Sequence, residues 1–305
     1  MKKVRFFWTF FLCYYKNGDS MKITNGDNFC EIEKYKLYRT VYDLLHPTIS
    51  KKNISNYKVV LDEKLLPVVV FYPDKMSSSK SIILYVVGDG KVNGCFGKYS
   101  EICKNLAKKT NSIVLAIDYF NGTIKYPTVV NKITKVIKYL YDEFSMNGID
   151  SSNITLMGDS VGCKIMGSVV VKLIDKNIDI SKLIMFYPVV RDSYIDYKWN
   201  ESLMSVNFNL DKNINNYLSK YLPKDKDVNC NLLELVYYKG FPKTLVVTGD
   251  MDIFKEDGEL LSNNLINNNG DSKYINIKFA AHGFLNSVDE EIVFETYKAI
   301  NDFIL

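Results

Sequence analysis

A five-residue turn, Gly158-Asp-Ser-Val-Gly162, constrains the fold of this chain more than any other feature. It follows a short apolar run, Asn153-Ile-Thr-Leu-Met157, and precedes apolar residues with helical spacing at positions 161, 165, 169 and 173. Glycines two positions before and two positions after Ser160 allow a helix to pack closely against the strand that leads into it. The pattern therefore predicts a strand, a sharp turn with Ser160 at its apex, and a helix.

A serine at such an apex is suited to attack a carbonyl group. Its hydroxyl projects from the sheet edge, and the first N–H groups of the helix lie beside it, where they can stabilise an oxyanion. Because a serine hydroxyl is almost un-ionised at neutral pH, it needs a base, most often a histidine held by a carboxylate. Ser160 is therefore a candidate nucleophile if the chain supplies these two partners.

The chain has two histidines from which to supply the base. His46 lies in an N-terminal stretch before any strand of the predicted sheet, which favours an exposed or locally bonded side chain. His282 follows the alternating run Tyr274-Ile-Asn-Ile-Lys-Phe279 and precedes a glycine. Because a loop at a strand end is where a sheet presents a base to its active edge, His282 is the candidate base.

Two carboxylates are candidates for the third member of the site. Asp250 and Asp252 both lie in the loop after Pro242-Lys-Thr-Leu-Val-Val-Thr248, a buried-strand pattern. The stretch from this loop to His282 has room for one helix and one strand, which would return the chain to the same sheet edge. Either carboxylate could reach the imidazole, so the residues alone leave both open.

A glycine-rich loop is the candidate for further oxyanion donors. The apolar run Ser81-Ile-Ile-Leu-Tyr-Val-Val87 is followed by Gly88-Asp-Gly-Lys-Val-Asn-Gly94. Glycines let the backbone approach a ligand and turn its N–H groups toward it. Since the loop follows a predicted strand and precedes the Ser160 turn in the chain, we expect it to border the site.

Together these motifs resemble the hormone-sensitive-lipase-like branch of the α/β-hydrolases, a family of serine carboxylesterases. The likeness runs from about Leu65 to the C-terminus. The matching segments are Gly158-Asp-Ser-Val-Gly-Cys163, Tyr187-Pro188, Thr248-Gly-Asp-Met-Asp-Ile-Phe-Lys-Glu-Asp-Gly258 and Ala281-His-Gly-Phe284. The resemblance implies an α/β-hydrolase fold, with a mostly parallel central sheet flanked by helices and a small helical cap. It assigns the triad acid to Asp252, and the oxyanion donors to the backbone N–H groups of Gly88, Asp89 and Val161.

The oxyanion loop departs from the family pattern. The family begins this loop with His-Gly-Gly-Gly, and the corresponding residues here are Val87-Gly-Asp-Gly90. A carboxylate at Asp89 about 5 Å from a developing oxyanion would repel it by about 3 kcal/mol at an effective dielectric constant of about 20. We therefore expect the Asp89 side chain to point away from the oxyanion.

The motifs favour a serine carboxylesterase that hydrolyses short- to medium-chain acyl esters, with a small-molecule ester as its substrate. Two alternatives stay open. An amidase or formamidase of the same fold would use the same triad, and no pocket residue in the sequence decides between them. A catalytically silent small-molecule-binding protein on this fold is suggested by Asp89, but retention of all three triad positions argues against it.

The length and hydropathy of the chain fit one large α/β domain with a cap. The chain has 305 residues, of which 47% are hydrophobic, enough to bury a sizeable core. Extended runs alternate with helical periods, which indicates a mostly parallel sheet. We expect residues 1–54 to form an N-terminal cap or lid segment, and residues 55–305 to form the catalytic domain, with a cap insertion at about 191–238.

The composition of the chain limits which binding partners and which cellular compartment we expect. A formal charge of +4, without a basic stripe interleaved with aromatic residues, argues against nucleic acid. Six scattered cysteines lack metal-ligand spacing, so we expect reduced thiols in a cytoplasmic protein with no metal and no cofactor. The aromatic run at positions 6–15 is too short to span a bilayer, and we expect at most weak contact with a membrane surface there. The oligomeric state is not encoded in any feature of the sequence.

Overall fold

A computed structural model describes most of the predicted catalytic domain. The described residues are 31–34, 56–60, 66, 68–74, 81–88, 97–117, 119, 125–146, 150–199, 201–204, 207, 209–222, 230–234, 240–268 and 270–305. His46, Asp89 and the aromatic run at 6–15 lie outside these residues, so the predictions made for them stay predictions.

A single mixed sheet forms the centre of the described residues. Its nine strands have the order β1-β2-β3-β5-β4-β6-β7-β8-β9. β3 pairs antiparallel with both β2 and β5, and all the other pairs are parallel. The strands are β1 Glu31–Lys34, β2 Asn56–Val60, β3 Val68–Phe71, β4 Ser81–Val86, β5 Ser112–Ile117, β6 Ile154–Asp159, β7 Lys182–Phe186, β8 Lys243–Gly249 and β9 Ser272–Ile277. This order confirms the predicted α/β-hydrolase architecture.

Helices connect the parallel strands and cover the sheet. They are α1 Gly97–Thr110, α2 Thr128–Met146, α3 Val161–Asp175, α4 Glu201–Met204, α5 Leu210–Tyr221, α6 Lys255–Asn267 and α7 Glu290–Ile304. The central strands β4 and β5 are almost entirely buried, as expected for strands covered on both faces. Since parallel strands point the same way, the loops that leave β4, β6, β7, β8 and β9 meet at one edge of the sheet.

The two predicted cap segments differ in what the structure describes. Within the insertion at 191–238, the helices α4 and α5 lie between β7 and β8 in the chain. Ile214, Tyr217, Leu218 and Tyr221 form the buried face of α5. Of the predicted N-terminal lid, only Glu31–Lys34 is described, and it pairs with β2. Those four residues therefore extend the sheet edge.

The turn from β6 to α3 is as tight as the sequence predicts. Ser160 has φ 50° and ψ −124°, a region that non-glycine residues rarely occupy. A Cβ atom built on Gly158 would lie 2.9 Å from the Cα of Cys163, and one built on Gly162 would lie 2.3 Å from the carbonyl oxygen of Val86. The two glycines are thus required because backbone atoms fill the space that a side chain would need.

The requirement at Gly162 can be tested against a second glycine in the same helix. We expect Gly162→Ala to destabilise the protein by about 2–3 kcal/mol, because its methyl group meets a β4 carbonyl that can move only with the sheet. Gly167→Ala is the matched control, since its methyl group would meet only the end of the Leu232 side chain, which can repack. We expect that variant to stay within about 1 kcal/mol of wild type, partly because alanine favours helix. Urea denaturation midpoints measure both, and equal losses would contradict this explanation.

Candidate active site

Three side chains form a continuous hydrogen-bonded chain at the edge where the parallel strands end. Ser160 Oγ lies 2.9 Å from His282 Nε2, and His282 Nδ1 lies 3.0 Å from Asp252 Oδ2 and 3.1 Å from Asp252 Oδ1. A carboxylate can only accept, so Nδ1 carries the hydrogen and Nε2 is left to accept the serine proton. The three residues predicted from separate stretches of sequence are therefore brought together in hydrogen-bonding geometry.

The acid loop places Asp252 and not Asp250 against the imidazole. Asp252 is fully buried, and its Oδ1 also accepts the N–H of Phe254 at 2.9 Å. Asp250 donates its own N–H to the carbonyl of Ile277 at 3.0 Å, and its Oδ1 is buried without a hydrogen-bond partner. Of the two carboxylates that the residues left open, Asp252 is therefore the one in contact with His282.

Two aromatic rings enclose the imidazole. The ring centroid of Tyr187 lies 4.8 Å from that of His282, and the centroid of Phe254 lies 5.1 Å from it. Only 10% of the His282 side chain is exposed, and Ser160 is 5% exposed. These rings restrict the imidazole to its bonded orientation and exclude water from its faces.

Backbone donors beside Ser160 determine where an oxyanion could bind. Val161 is the first residue of α3, and its N–H belongs to the helix terminus, where no intrahelical acceptor exists. The Gly88 N–H, which the resemblance placed in the oxyanion hole, instead donates to Asp159 Oδ1 at 2.6 Å. The structure therefore keeps Val161 as a candidate donor and directs the Gly88 N–H to a carboxylate.

Asp159 connects the serine turn to the start of the glycine-rich loop. Besides the Gly88 N–H, its Oδ1 accepts the hydroxyl of Tyr85 at 2.6 Å, and the hydroxyl of Tyr119 donates to the carbonyl of Val87 at 2.5 Å. Burial raises the pKa of the Asp159 carboxyl above its usual value, and the bonds from Tyr85 and Gly88 oppose that shift. These contacts fix the first peptides of the loop against β6.

Several residues around the site were not assigned a role from the sequence. Tyr85, Lys164 and Phe254 lie in apolar patterns that indicate only core positions, and their polar or aromatic contacts depend on distant segments. Lys164 offered one usable signal, because a lysine one turn after Ser160 interrupts an otherwise apolar helix. Its side chain is fully buried, which a solvated lysine would not be.

Within the described residues, no group of three or more histidine, cysteine, aspartate or glutamate side chains has the arrangement of a metal site. The same part of the chain contains no helix with the length and apolar character needed to cross a membrane.

Known proteins with similar sequences and structures share this fold. A family model described as an alpha/beta hydrolase fold matches residues 83–286, more than half of the chain. An arylesterase from Saccharolobus solfataricus is 21% identical over 288 residues, covering 91% of this chain and 90% of that protein. Vegetative-specific protein H5 from Dictyostelium discoideum is 25% identical over 274 residues, covering 83% of this chain and 79% of that protein. A solved arylesterase structure matches with a TM-score of 0.70 at 20% identity, covering 88% of this chain and 90% of that chain.

The family match includes the last four residues of β4, the serine turn, the acid loop and the His282 loop, which are the segments that carry the site. It confirms the resemblance that the motifs predicted. The chain belongs to the α/β-hydrolase fold family, in its hormone-sensitive-lipase-like branch.

Proposed function

We propose that the protein is a serine carboxylesterase that hydrolyses short- to medium-chain acyl esters through an acyl-enzyme intermediate. The observation that carries the proposal is the hydrogen-bonded chain from Ser160 through His282 to Asp252. The strained backbone at Ser160 supports it, since such strain is retained where the surrounding structure holds a reactive group in place. The substrate is a small-molecule ester.

The first half of the reaction transfers the acyl group to the protein. Ser160 Oγ attacks the carbonyl carbon while His282 Nε2 takes the serine proton, and the carbonyl oxygen becomes an oxyanion. The tetrahedral intermediate collapses with cleavage of the ester C–O bond, and the imidazolium gives its proton to the leaving alcohol oxygen. Asp252 holds the imidazole in the correct tautomer and stabilises its positive charge.

The second half of the reaction releases the acid. His282 removes a proton from water, which attacks the acyl carbon, and a second oxyanion forms at the same position. Collapse breaks the bond to Ser160 Oγ, which regains its proton from the imidazolium. The product is a carboxylic acid, and the catalytic residues return to their starting state.

We propose that the backbone N–H of Val161 donates a hydrogen bond to the oxyanion, and that the backbone N–H of Asp89 is the second donor. The Gly88 N–H contributes to oxyanion binding only indirectly, because its bond to Asp159 fixes the backbone of Gly88, the residue before Asp89 in the chain. Preorganised donors of this kind stabilise charge that develops only in the transition state. Each such donor is worth about 10²–10³ in kcat in serine hydrolases.

The enclosure of the triad supports small esters as substrates. Ser160 is 5% exposed, and the rings of Tyr187 and Phe254 flank its base, so we expect the ester carbonyl to enter an enclosed site with aromatic walls. Such a site favours short or medium acyl chains over bulky ones. Comparing nitrophenyl butyrate with butyryl nitroanilide distinguishes an esterase from an amidase, because the acyl group is the same in both.

The nucleophile assignment is tested by removing a single hydroxyl. We expect Ser160→Ala to lower kcat/KM for nitrophenyl butyrate by about 10³-fold or more, since the variant lacks the oxygen that would carry the acyl group. Ser168→Ala is the matched control, because Ser168 lies in the same helix and bonds only a helix carbonyl, that of Lys164. We expect it to stay within about twofold of wild type. Retention of most activity in Ser160→Ala would refute the assignment.

The choice between the two acids is tested by paired amide variants. We expect Asp252→Asn to lower kcat by about 10³–10⁴-fold, because an amide at this position favours the wrong imidazole tautomer. Asp250→Asn should remain within about tenfold of wild type, since its side chain makes no bond to His282 in the described site. Steady-state kinetics on both variants provide the measurement, and a larger loss in Asp250→Asn would reverse the assignment.

A further inference from the structure

Two consecutive charged residues lie where the chain leaves β7 and enters the cap insertion. Arg191 pairs with Asp257, in the first turn of α6, and Asp192 pairs with Lys164, in α3, four residues after Ser160. The helices α3 and α6 follow β6 and β8, the two strands that flank β7 in the sheet. One short segment thus makes ion pairs to the helices on both sides of the catalytic centre.

The Lys164 ammonium uses all of its hydrogens inside the protein. Nζ donates to the carbonyls of Val190 at 3.0 Å and Cys230 at 2.8 Å, and to Asp192 Oδ1 at 2.5 Å. An ammonium has three donors, so no hydrogen is left for water. Burial lowers the pKa of Lys164, and the nearby Asp192 carboxylate opposes that shift.

The same ion pair joins the two ends of the cap insertion. Asp192 Oδ2 accepts the N–H of Cys230 at 3.1 Å, while Lys164 binds the carbonyl of that residue, so both backbone polar groups of Cys230 are held. The N–H of Leu232 also donates to the carbonyl of Val190 at 3.0 Å. The chain that enters the insertion near residue 190 (the outgoing chain) and the chain that leaves it near residue 230 are therefore hydrogen-bonded to each other and to α3.

The second ion pair connects the outgoing chain to the acid side of the site. Arg191 Nε lies 2.9 Å and 3.1 Å from the two carboxylate oxygens of Asp257, which is fully buried. The hydroxyl of Tyr194 donates to Asp257 Oδ2 at 2.8 Å, and its backbone N–H donates to Asn215 Oδ1, on α5, at 2.9 Å. A cap helix is thus bonded to the turn that carries the ion pair.

Contacts continue from this turn to the triad. The ring of Tyr194 lies 5.0 Å from that of Phe254, which in turn lies 5.1 Å from the imidazole of His282. Independently, Asn207 Nδ2 donates to the carbonyl of Met251 at 2.8 Å, joining the insertion to the acid loop. A displacement of the insertion would therefore change the surroundings of the reacting groups without removing any of them.

We propose that Lys164, Arg191, Asp192 and Asp257 form an ionic clamp that positions the cap insertion at the site and thereby sets the affinity for substrate. This inference rests on the proposed esterase function. The clamp residues are positioning residues, because their hydrogen bonds are to one another and to the insertion rather than to the triad. Neutralising Asp192 leaves the buried Lys164 ammonium unpaired, and removing the Lys164 charge leaves Asp192, whose side chain is 32% exposed, without its cation. Removing both members of the pair leaves no unpaired charge.

The test compares one buried lysine with one exposed lysine. We expect Lys164→Met to raise KM for nitrophenyl butyrate about tenfold while kcat changes by less than about threefold. Backbone hydrogen exchange in Leu210–Tyr221 should accelerate in the same variant, since the segment near 190–194 that bonds α5 through Tyr194 loses its anchor on α3. Lys138→Met is the matched control, because Lys138 pairs with Asp142 on the exposed face of α2. It should change neither quantity.

A second variant distinguishes the ion pair from general packing. The double variant Lys164→Met/Asp192→Asn removes both charges and keeps an acceptor for the Cys230 N–H. We therefore expect its KM and its hydrogen-exchange rate in residues 210–221 to return most of the way to the wild-type values. Asp192→Asn alone should reproduce the effect of Lys164→Met, and it provides the comparison if that variant fails to fold.

Two results would overturn the clamp. The first is an Asp192→Asn variant in which both the hydrogen exchange of residues 210–221 and the KM are unchanged. The second is a double variant whose KM and hydrogen exchange are no closer to wild type than those of the single variants. If the wild-type protein hydrolyses no ester, the proposed function fails, but the exchange comparison still decides whether the clamp holds the insertion.

Discussion

The tight turn at Ser160 is the constraint on which the rest of the site depends. The Ser160 N–H donates to the carbonyl of Phe186 at 2.9 Å, and its carbonyl accepts the N–H groups of Cys163 and Val189. These bonds hold the serine in a left-handed backbone conformation that it would not otherwise adopt. Phe186 is the last residue of β7, and Val189 follows three residues later. The serine is therefore positioned by the neighbouring strand and the residues after it as much as by its own helix.

From that turn outward, buried polar groups connect successive parts of the protein. Asp159 ties β6 to the start of the loop after β4, and Lys164 ties α3 to both ends of the cap insertion. Asp257 ties α6 to the outgoing end of the insertion, through Arg191. Each of these charges is costly to bury alone, so each requires its partner in place. The same interactions thus specify the geometry of the site and the location of the cap.

The fold could be predicted from the sequence because strand and helix periodicities, and the glycines around Ser160, are contained in short windows. The positions of Ser160 and His282 at strand ends could be read from the same local patterns, whereas Asp252 is favoured over Asp250 only by the resemblance to the family. The direction of the Gly88 N–H could not be predicted, because it depends on a carboxylate that β6 brings from 71 residues away. The pairing of Lys164 with Asp192 could not be predicted for the same reason: a lysine among apolar helix residues indicates a special environment, but its partner lies 28 residues away in the chain.

The central claim is that Ser160 is a nucleophile activated by His282. Reaction of the wild-type protein with a fluorophosphonate, followed by digestion and mass spectrometry of the peptides, measures this most directly, since only an activated serine forms the covalent adduct at neutral pH. The account predicts one adduct, on the peptide that contains Ser160, and none after His282→Ala. A folded wild-type protein that forms no adduct, or forms it at another residue, would contradict the account.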